Sequence, residues 1–404
     1  MGEATDGARP QPAYGPLMPD LTHPPLRVLV AGGGVAAIET VLALHALAGA
    51  RVAIELLAPA GEYVERPSSV LSPFGGAPAP RIPLDRLPTL GVVRHRGALA
   101  AVDAERREVR TTDGGRLGYD RLVVAPGAHA IDGVPGAVTF RGPISAGAVE
   151  AAIRDATSRV VFVAPEGSGW LLPLYELALM TAHRYPDGPD VVVVTHEPRP
   201  LDIFGPIASD ALARLLERAG IEFVGRIRAV ERVADALVGA GGELISADAV
   251  ISLPRIRGPF IEGLPADADG FIEITANARV VGVPHVFAAG DVTTEPIKQG
   301  GLAAQQADAA AEAIAAEAGA VLIPRPYRRI LRGVVLTGER PLYLRRDLDE
   351  AREVIRPLRG TPPGVSRTQL WWPEGKVAGR YLTGFVAAGG HPGAALADRP
   401  PAGR

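Results

Sequence analysis

The chain has 404 residues, and its 42 Lys and Arg residues against 45 Asp and Glu residues give a formal charge of −3 at pH 7. The basic residues form no block, so a surface that binds the phosphate backbone of nucleic acids is not expected. The chain has no cysteine, which excludes disulfides, cysteine metal sites and thiol redox relays as chemistry of the protein itself. Electron transfer by this chain would therefore need a bound cofactor.

Both ends of the chain have the composition of disordered tails, which we predict over residues 1–25 and 386–404. The first tail lacks the charged start and apolar middle of a signal peptide. No apolar run approaches the ~20 residues that are needed to span a bilayer. We therefore expect a cytoplasmic protein, and we keep peripheral contact with the inner face of the membrane as an alternative.

The folded region begins with the stretch LRVLVAGGGVAAIETVLALHALAGARVAIELLAP. Its pattern predicts a buried strand over 28–31, a glycine turn, a helix over 38–47 and a second strand over 51–57. In a turn of this kind small residues let the backbone approach a pyrophosphate, and the following helix points its N-terminus at it. The predicted nucleotide contacts are Gly32, Gly33, Gly34, Ala36 and Ala37.

An acid that binds the adenosine ribose is expected at the end of the second strand of such a unit. The matching position in this chain is Ala58. Glu55 comes three residues too early, and Glu62 is an alternative without further support. The group that would bind this ribose is therefore unassigned.

A second glycine signature lies in VFAAGDVTTEPIKQGGLAAQQADAAAEAIA, residues 286–315. An apolar run ends at Gly290 and Asp291, a polar loop follows, and an alanine-rich segment predicts a helix. The loop carries Lys298, one of only two lysines in the chain, the other being Lys376. Because arginine is used nearly everywhere else, we predict a functional role for Lys298, with a solvated loop lysine as the alternative.

Together these segments resemble the two-dinucleotide-binding-domain flavoproteins of the FAD-dependent pyridine nucleotide-disulfide oxidoreductase superfamily. YDRLVVAPGAHA (119–130) is similar to the family's strand-and-turn signature, VFAAGDV (286–292) to its second flavin signature, and EYVERPSSV (62–70) to the segment that passes the isoalloxazine. Within this superfamily the chain most resembles sulfide:quinone oxidoreductases and type II NADH dehydrogenases.

The resemblance implies an α/β fold with two Rossmann-like FAD/NAD(P)-binding domains and a small C-terminal domain. The FAD domain is expected to be discontinuous, over 26–142 and 266–320. The second Rossmann-like domain is expected over 143–265 and the C-terminal domain over 321–385. FAD would be bound noncovalently.

By the same resemblance Asp291 would bind the ribityl chain of FAD, and Lys298 with the helix behind it would stabilise the reduced flavin. Lys298 is thus a predicted catalytic residue as well as a cofactor contact. The other contacts that the resemblance implies are Pro126, Gly127, Gly290, Gln299 and Gly300.

The second domain departs from the family pattern in VVFVAPEGSGWLLPLYELALMTA, residues 160–182. Gly167 and Gly169 remain, but Trp170 and the leucines after it stand where small residues would admit a pyrophosphate, so NAD(P)H stays an open alternative rather than an assigned cofactor. Glu176 resembles a glutamate that lies near flavin and nicotinamide in type II dehydrogenases, and is the second predicted catalytic residue. Glu197, after the strand VVVVT, could accept ribose hydroxyls. A helix-surface and a loop carboxylate are the alternatives for these two.

We predict an FAD-dependent oxidoreductase that passes electrons between a small-molecule donor and acceptor, without persulfide chemistry because cysteine is absent. Donor and acceptor are undefined, with a quinone acceptor left open. The alternatives are an NAD(P)H:acceptor reductase and a degenerate flavin-binding scaffold. No metal site is predicted, and a homodimer is left open. For Trp371 and Trp372 we favour packing against the rest of the protein or against a second subunit, with contact with a membrane surface as the alternative.

Overall fold

The computed structural model describes residues 24–348 and 364–391. They form an α/β fold in which two parallel sheets each carry helices. Six α-helices occur in this part of the chain: α1 (Val35–Ala48), α2 (Ala146–Asp155), α3 (Leu172–Arg184), α4 (Pro206–Arg218), α5 (Gly300–Glu317) and α6 (Leu382–Ala387).

The first parallel sheet belongs to the predicted FAD domain. Its central strand is fully buried at its carboxyl end, just before the glycine turn, and helix α1 follows, so the predicted strand, turn and helix are confirmed. One edge strand comes from a later stretch of the chain, so two separate stretches build this sheet. The strand order is Val286–Ala288, Arg121–Val124, Leu26–Ala31, Val52–Ala58 and Val93–Arg96.

The second parallel sheet repeats this architecture. Its valine-rich central strand is buried on both faces, as expected of a parallel sheet covered by helices. The loop that holds Gly167 and Gly169 connects this strand to α3. The strand order is Val138–Thr139, Ala249–Ser252, Arg159–Ala164, Asp190–Thr195 and Glu222–Val224.

Small antiparallel sheets complete the two domains. A two-stranded ladder of His129–Ile131 with Arg255–Arg257 joins them, because one strand leaves the first domain and the other returns to it. The remaining strands of the two domains form a pair and two three-stranded sheets: Glu62–Val64 and Arg81–Pro83; Leu99–Asp103, Glu108–Thr111 and Arg116–Gly118; Ala229–Val233, Ala236–Gly239 and Leu244–Ser246.

The C-terminal domain is a three-stranded antiparallel sheet with α6, built from Ile330–Val335, Leu342–Asp347 and Val365–Ser366. Trp371 packs edge-on against Tyr343 with ring centroids 5.6 Å apart, whereas Trp372 is exposed. Helix α6 runs to Ala387 and the chain is described to residue 391, so the predicted start of the last tail at 386 is corrected. Residues 1–23 and 392–404 of the two predicted tails lie outside the described residues.

No helix within 24–348 and 364–391 has both the length and the apolar character that crossing a membrane requires.

Helices α1 and α5 pack side by side over the first sheet, and small residues make their approach possible. Most of the alanines of α5 are buried, and Ala36 and Ala37 of α1 are buried too. Gly290 precedes the loop to α5 with a φ of +86°, and a Cβ there would lie 3.2 Å from the Cβ of Ala36 and 3.4 Å from that of Ala303. A side chain at position 290 would therefore require the starts of the two helices to shift slightly apart.

We expect Gly290→Ala to lower the free energy of unfolding by about 1–3 kcal/mol, because it puts a Cβ on a left-handed backbone and against α1. Urea unfolding measures the effect. The matched control is Gly147→Ala in α2, where a Cβ would meet nothing within 4 Å and φ is not positive; it should be neutral or slightly stabilising. Equal stability of the two variants would contradict the packing described above.

Candidate functional site

The glycine turn after the first strand has the geometry of a nucleotide-binding loop. The Gly32 N–H donates to the Leu57 carbonyl at 2.8 Å, and a Cβ on Gly32 would lie only 2.0 Å from the Ala125 carbonyl oxygen. Gly33 packs beside Ala58, while a Cβ on Gly34 would meet nothing within 4 Å. Gly32 therefore allows the tight turn, and Gly34 leaves space in which a ligand could approach the backbone.

Helix α1 begins at this opening without a protein cap. Its N-cap residue is Gly34, no side chain caps it, and its first turn holds no acid. The unpaired N–H groups and the positive end of the helix dipole are available to a phosphate. Pro126 and Gly127 follow the neighbouring strand, and Gly127, with φ +81°, also has open space at its Cβ position.

Asp291 lies at the carboxyl end of the edge strand of this sheet. Burial raises the pKa of its carboxyl group, while the charges of Lys298 and Arg66 lower it. None of the described residues donates a hydrogen bond to this carboxylate. Asp291 is half-buried, and its carboxylate is therefore free to accept a hydrogen bond from a ligand hydroxyl.

Lys298 lies in the loop before α5, and its side chain turns back into that loop. The ammonium Nζ donates to the Thr293 carbonyl at 2.6 Å and sits 3.6 Å from the centre of the Phe271 ring. Burial lowers the pKa of Lys298 to about 8, against the raising effect of Asp291 and other nearby carboxylates. It is a partly desolvated cation close to Asp291, which disfavours the alternative of a solvated loop lysine.

The residues that follow Lys298 are more enclosed than the sequence suggests. Gln299 is the buried N-cap of α5, and its side chain accepts the Leu302 N–H at 2.9 Å. A Cβ on Gly300 would lie 3.5 Å from the Val377 side chain. The C-terminal domain therefore covers the first turn of α5, where the resemblance implied cofactor contacts at Gln299 and Gly300.

Glu176 is buried in α3 and faces the C-terminal domain. Lys376 Nζ contacts its two carboxylate oxygens at 2.6 and 2.8 Å, and the Leu336 N–H donates to it at 2.9 Å. Burial raises the pKa of Glu176, and Lys376 opposes that shift. The expectation of a helix-surface carboxylate is excluded, and Glu176 is not among the described residues that line the cleft below.

A cleft of about 760 Å³ opens between the second domain and the loop of Lys298. The Ile256 N–H donates to the Gly167 carbonyl at 2.9 Å, and the Lys298 N–H to the Gly169 carbonyl at 3.1 Å, so the glycine loop is fixed from both sides. Trp170 packs on Phe204 with ring centroids 5.9 Å apart and forms part of the cleft wall. The aromatic side chain therefore leaves space for a ligand.

Glu197 lines the same cleft just after the strand Asp190–Thr195. Its carboxylate accepts the Tyr175 hydroxyl hydrogen at 2.7 Å. Burial raises the pKa of Glu197 to about 7, although the hydrogen bond from Tyr175 opposes the shift. Its position matches that of a ribose-binding acid in a dinucleotide domain.

The first domain has no such acid among the candidates that the sequence offered. Ala58 is fully buried at the expected position. Glu55 binds His95 Nε2 at 2.6 Å, and Glu62 pairs with Arg81 at 2.9 Å on the surface. Both carboxylates are thus engaged within the protein.

The class of the protein follows from its similarity to a known protein family. Residues 26–312 match the family described as pyridine nucleotide-disulphide oxidoreductase. The chain belongs to this family. Its members are flavin-dependent oxidoreductases that use FAD with a pyridine nucleotide, so the predicted enzyme class and flavin cofactor are confirmed.

A relative in Mycobacterium tuberculosis, an NADH dehydrogenase-like protein, is 29% identical over 303 residues, which cover 66% of this chain and 72% of that protein. The sulfide:quinone oxidoreductase of Aquifex aeolicus superimposes with a TM-score of 0.70 at 19% identity, over 80% of this chain and 84% of that chain. Putidaredoxin reductase in its complex with putidaredoxin gives 0.63 at 20% identity, over 84% and 88%. These two structures share the family's fold.

The residues of the first site fit FAD. The open positions at Gly34 and Gly127 and the uncapped start of α1 suit the pyrophosphate. The unpaired carboxylate of Asp291 suits the ribityl hydroxyls. These are the groups that would hold the cofactor.

Sequence reasoning missed several residues of the site. Arg66, in the segment EYVERPSSV, is close enough to lower the pKa of Asp291. The Phe271 ring makes a cation–π contact with the Lys298 ammonium, and Arg346 of the C-terminal domain lines the cleft. A basic residue in the segment expected to pass the flavin was a usable signal for Arg66; no local pattern marks the other two.

We expect Lys298→Met to lower the midpoint potential of the flavin, because it removes a cation that stabilises the reduced cofactor. An effect of about 1–2 kcal/mol corresponds to roughly 20–40 mV for a two-electron couple. Since the Lys298 pKa is about 8, the difference from the wild type should be largest below that pH and shrink above it. Potentiometric titration at several pH values measures it.

The control for Lys298→Met is Arg257→Met, which removes an exposed cation from the strand Arg255–Arg257. This variant should leave the midpoint potential of the flavin unchanged. A potential that is the same in the wild type and in Lys298→Met would end the redox role of Lys298.

Proposed function

We propose that the protein is an NADH:acceptor oxidoreductase, in which FAD in the first domain takes electrons from NADH bound in the cleft and passes them to a small quinone-type acceptor. The observation that carries the proposal is the position of Glu197. It stands at the carboxyl end of a parallel strand and lines the cleft that also holds Lys298.

The donor follows from the chemistry of that carboxylate. An ionised Glu197 accepts hydrogen bonds from the hydroxyls of the adenosine ribose of NADH, whereas it repels the 2′-phosphate that NADPH carries on the same ribose. The cleft has a volume of about 760 Å³ and is lined by both Glu197 and Lys298, so it could hold a nucleotide whose adenosine ribose lies at Glu197. The name of the mycobacterial relative, an NADH dehydrogenase-like protein, supports the same donor.

The acceptor is constrained by what the chain lacks. With no cysteine, it cannot pass electrons to a disulfide of its own. A diffusible organic acceptor that approaches the flavin directly meets this constraint. The quinone in the name of the Aquifex aeolicus enzyme supports this choice of acceptor.

Bound FAD would supply the hydride acceptance and the electron transfer. The residues of this chain would bind and orient the partners: α1 and Gly34 hold the pyrophosphate, and Asp291 fixes the ribityl chain. Lys298 holds a positive charge beside Asp291 and stabilises the negative charge that reduction brings. Trp170, packed on Phe204, forms the wall that keeps the donor in place.

The proposal predicts that Glu197→Gln lowers kcat/KM for NADH by about tenfold and raises it for NADPH, because the charge that selects the ribose is lost. In the wild type, KM for NADH should fall as the pH rises through about 7, where Glu197 ionises. In the variant this dependence should be absent. Steady-state kinetics with both nucleotides at several pH values measure these effects.

A suitable control is Glu222→Gln, which removes a half-exposed carboxylate from the neighbouring strand of the same sheet. It should leave the NADH preference as it is. A wild type that uses NADPH as well as NADH, or a Glu197→Gln variant with unchanged preference, would contradict the assigned donor site.

A further inference from the structure

Residues 376–382, which we call the strap, run from the second domain across the start of α5 to α1. At one end Lys376 pairs with Glu176 at 2.6 Å. In the middle the Val377 carbonyl lies 3.0 Å from where a Cβ on Gly301 would stand, and Arg332 reaches the Ala378 carbonyl at 3.4 Å. The strap thus covers the helix end that faces the predicted flavin edge.

The other end of the strap is held by a buried carboxylate. Glu39 of α1 is fully buried, and its two oxygens accept the N–H groups of Tyr381 at 2.8 Å and Leu382 at 2.6 Å. A Cβ on Gly379 would lie 2.7 Å from one of these oxygens, so the backbone passes directly over the carboxylate. Glu39 therefore joins the cofactor-binding helix to the start of α6.

A second carboxyl group shares this buried space. Asp308 of α5 has a buried Oδ1 without a hydrogen-bond partner, and it lies close enough to Glu39 for each carboxyl group to act on the other. Two carboxylates that share a buried site repel each other when both are charged, so one of the two holds a proton. The arrangement in which Asp308 is protonated leaves Glu39 charged, with three donors around it.

We infer that the Glu39–Asp308 pair is a protonation-controlled latch, which holds the strap over the start of α5 while the pair keeps its shared proton and releases the strap when that proton is lost. The strap is then a movable cover of the flavin-facing end of α5. This inference does not depend on which donor the protein uses.

The charges around the pair allow one negative charge to remain there, because several cations act on it. Arg380 of the strap and Arg332 of the C-terminal sheet act electrostatically on Asp308, and so does Arg325 after α5. Glu312 of α5 adds a negative charge, although it is bound by Arg325 and Arg380.

On the side of the first sheet, Tyr63 is buried and lies near enough to Glu39 to be affected by its charge. Beyond Arg332, Arg345 also contributes positive charge.

The sign of the pH effect follows from burial. Burial and the charge of Glu39 raise the pKa of Asp308 well above its ordinary value while the strap is closed. Release of the strap would admit water and let that pKa fall. The closed form therefore binds one more proton than the open form, and closure weakens as the pH rises towards the raised pKa.

Hydrogen exchange of the full-length holoprotein tests the latch. After correction for intrinsic exchange, the opening of the peptide that contains Tyr381 and Leu382 should increase by about tenfold per pH unit from mildly acidic to alkaline buffer. In Asp308→Asn, whose amide donates to Glu39 at every pH, this slope should disappear and the peptide should stay protected.

Further variants separate the latch from ordinary destabilisation. Glu39→Gln leaves a strap amide without its carboxylate and should lose protection at every pH. Lys376→Met should raise exchange by a constant factor and keep the slope. Glu317→Gln, which removes a pair with Arg121 at the far end of α5, should leave the strap unaffected. Protection of the wild-type strap that is independent of pH, or the same slope in Asp308→Asn, would overturn the inference.

Discussion

The close contact of α1 with α5 is the constraint on which the rest of the structure depends. Alanines and Gly290 bring the two helices together, and each helix starts at the carboxyl end of the first sheet. Their N-termini carry the positive ends of the helix dipoles to the region where an anionic cofactor is expected. A larger side chain in this contact would separate the phosphate-binding turn from Asp291.

Charged groups that are partly or fully removed from water are the second feature on which the structure depends. The chain has only two lysines, and both lie near the start of α5. Lys298 comes two residues before the helix, and Lys376 precedes Val377, whose side chain packs near Gly300. Lys298 is near Asp291, and Lys376 is bound to Glu176. In the first case burial lowers the pKa of the cation, and in the second it raises the pKa of the acid. At both sites burial thus works against the charged form of an ionisable group.

The sequence predicted those elements whose structure is determined by residues close together in the chain. The first strand, the glycine turn, helix α1 and the position of Asp291 depend on neighbouring residues, and the structure has them where the patterns indicated. The partner of Glu176 could not be predicted, because Lys376 is 200 residues away. For the same reason the sequence could not show that Val377, distant in the chain, packs over Gly300. The end of the last helix was also missed, since its short glycine-rich segment gains its helical form from docking onto α1.

The central claim is that FAD in the first domain is reduced by NADH in the cleft beside Glu197. Anaerobic titration of the purified protein, followed by visible flavin absorbance, tests it most directly. The account predicts a flavin spectrum that one equivalent of NADH bleaches and that NADPH bleaches much less readily. A flavin bleached by dithionite and by neither nucleotide would contradict the donor, and a protein that binds no flavin at all would contradict the account of the first site.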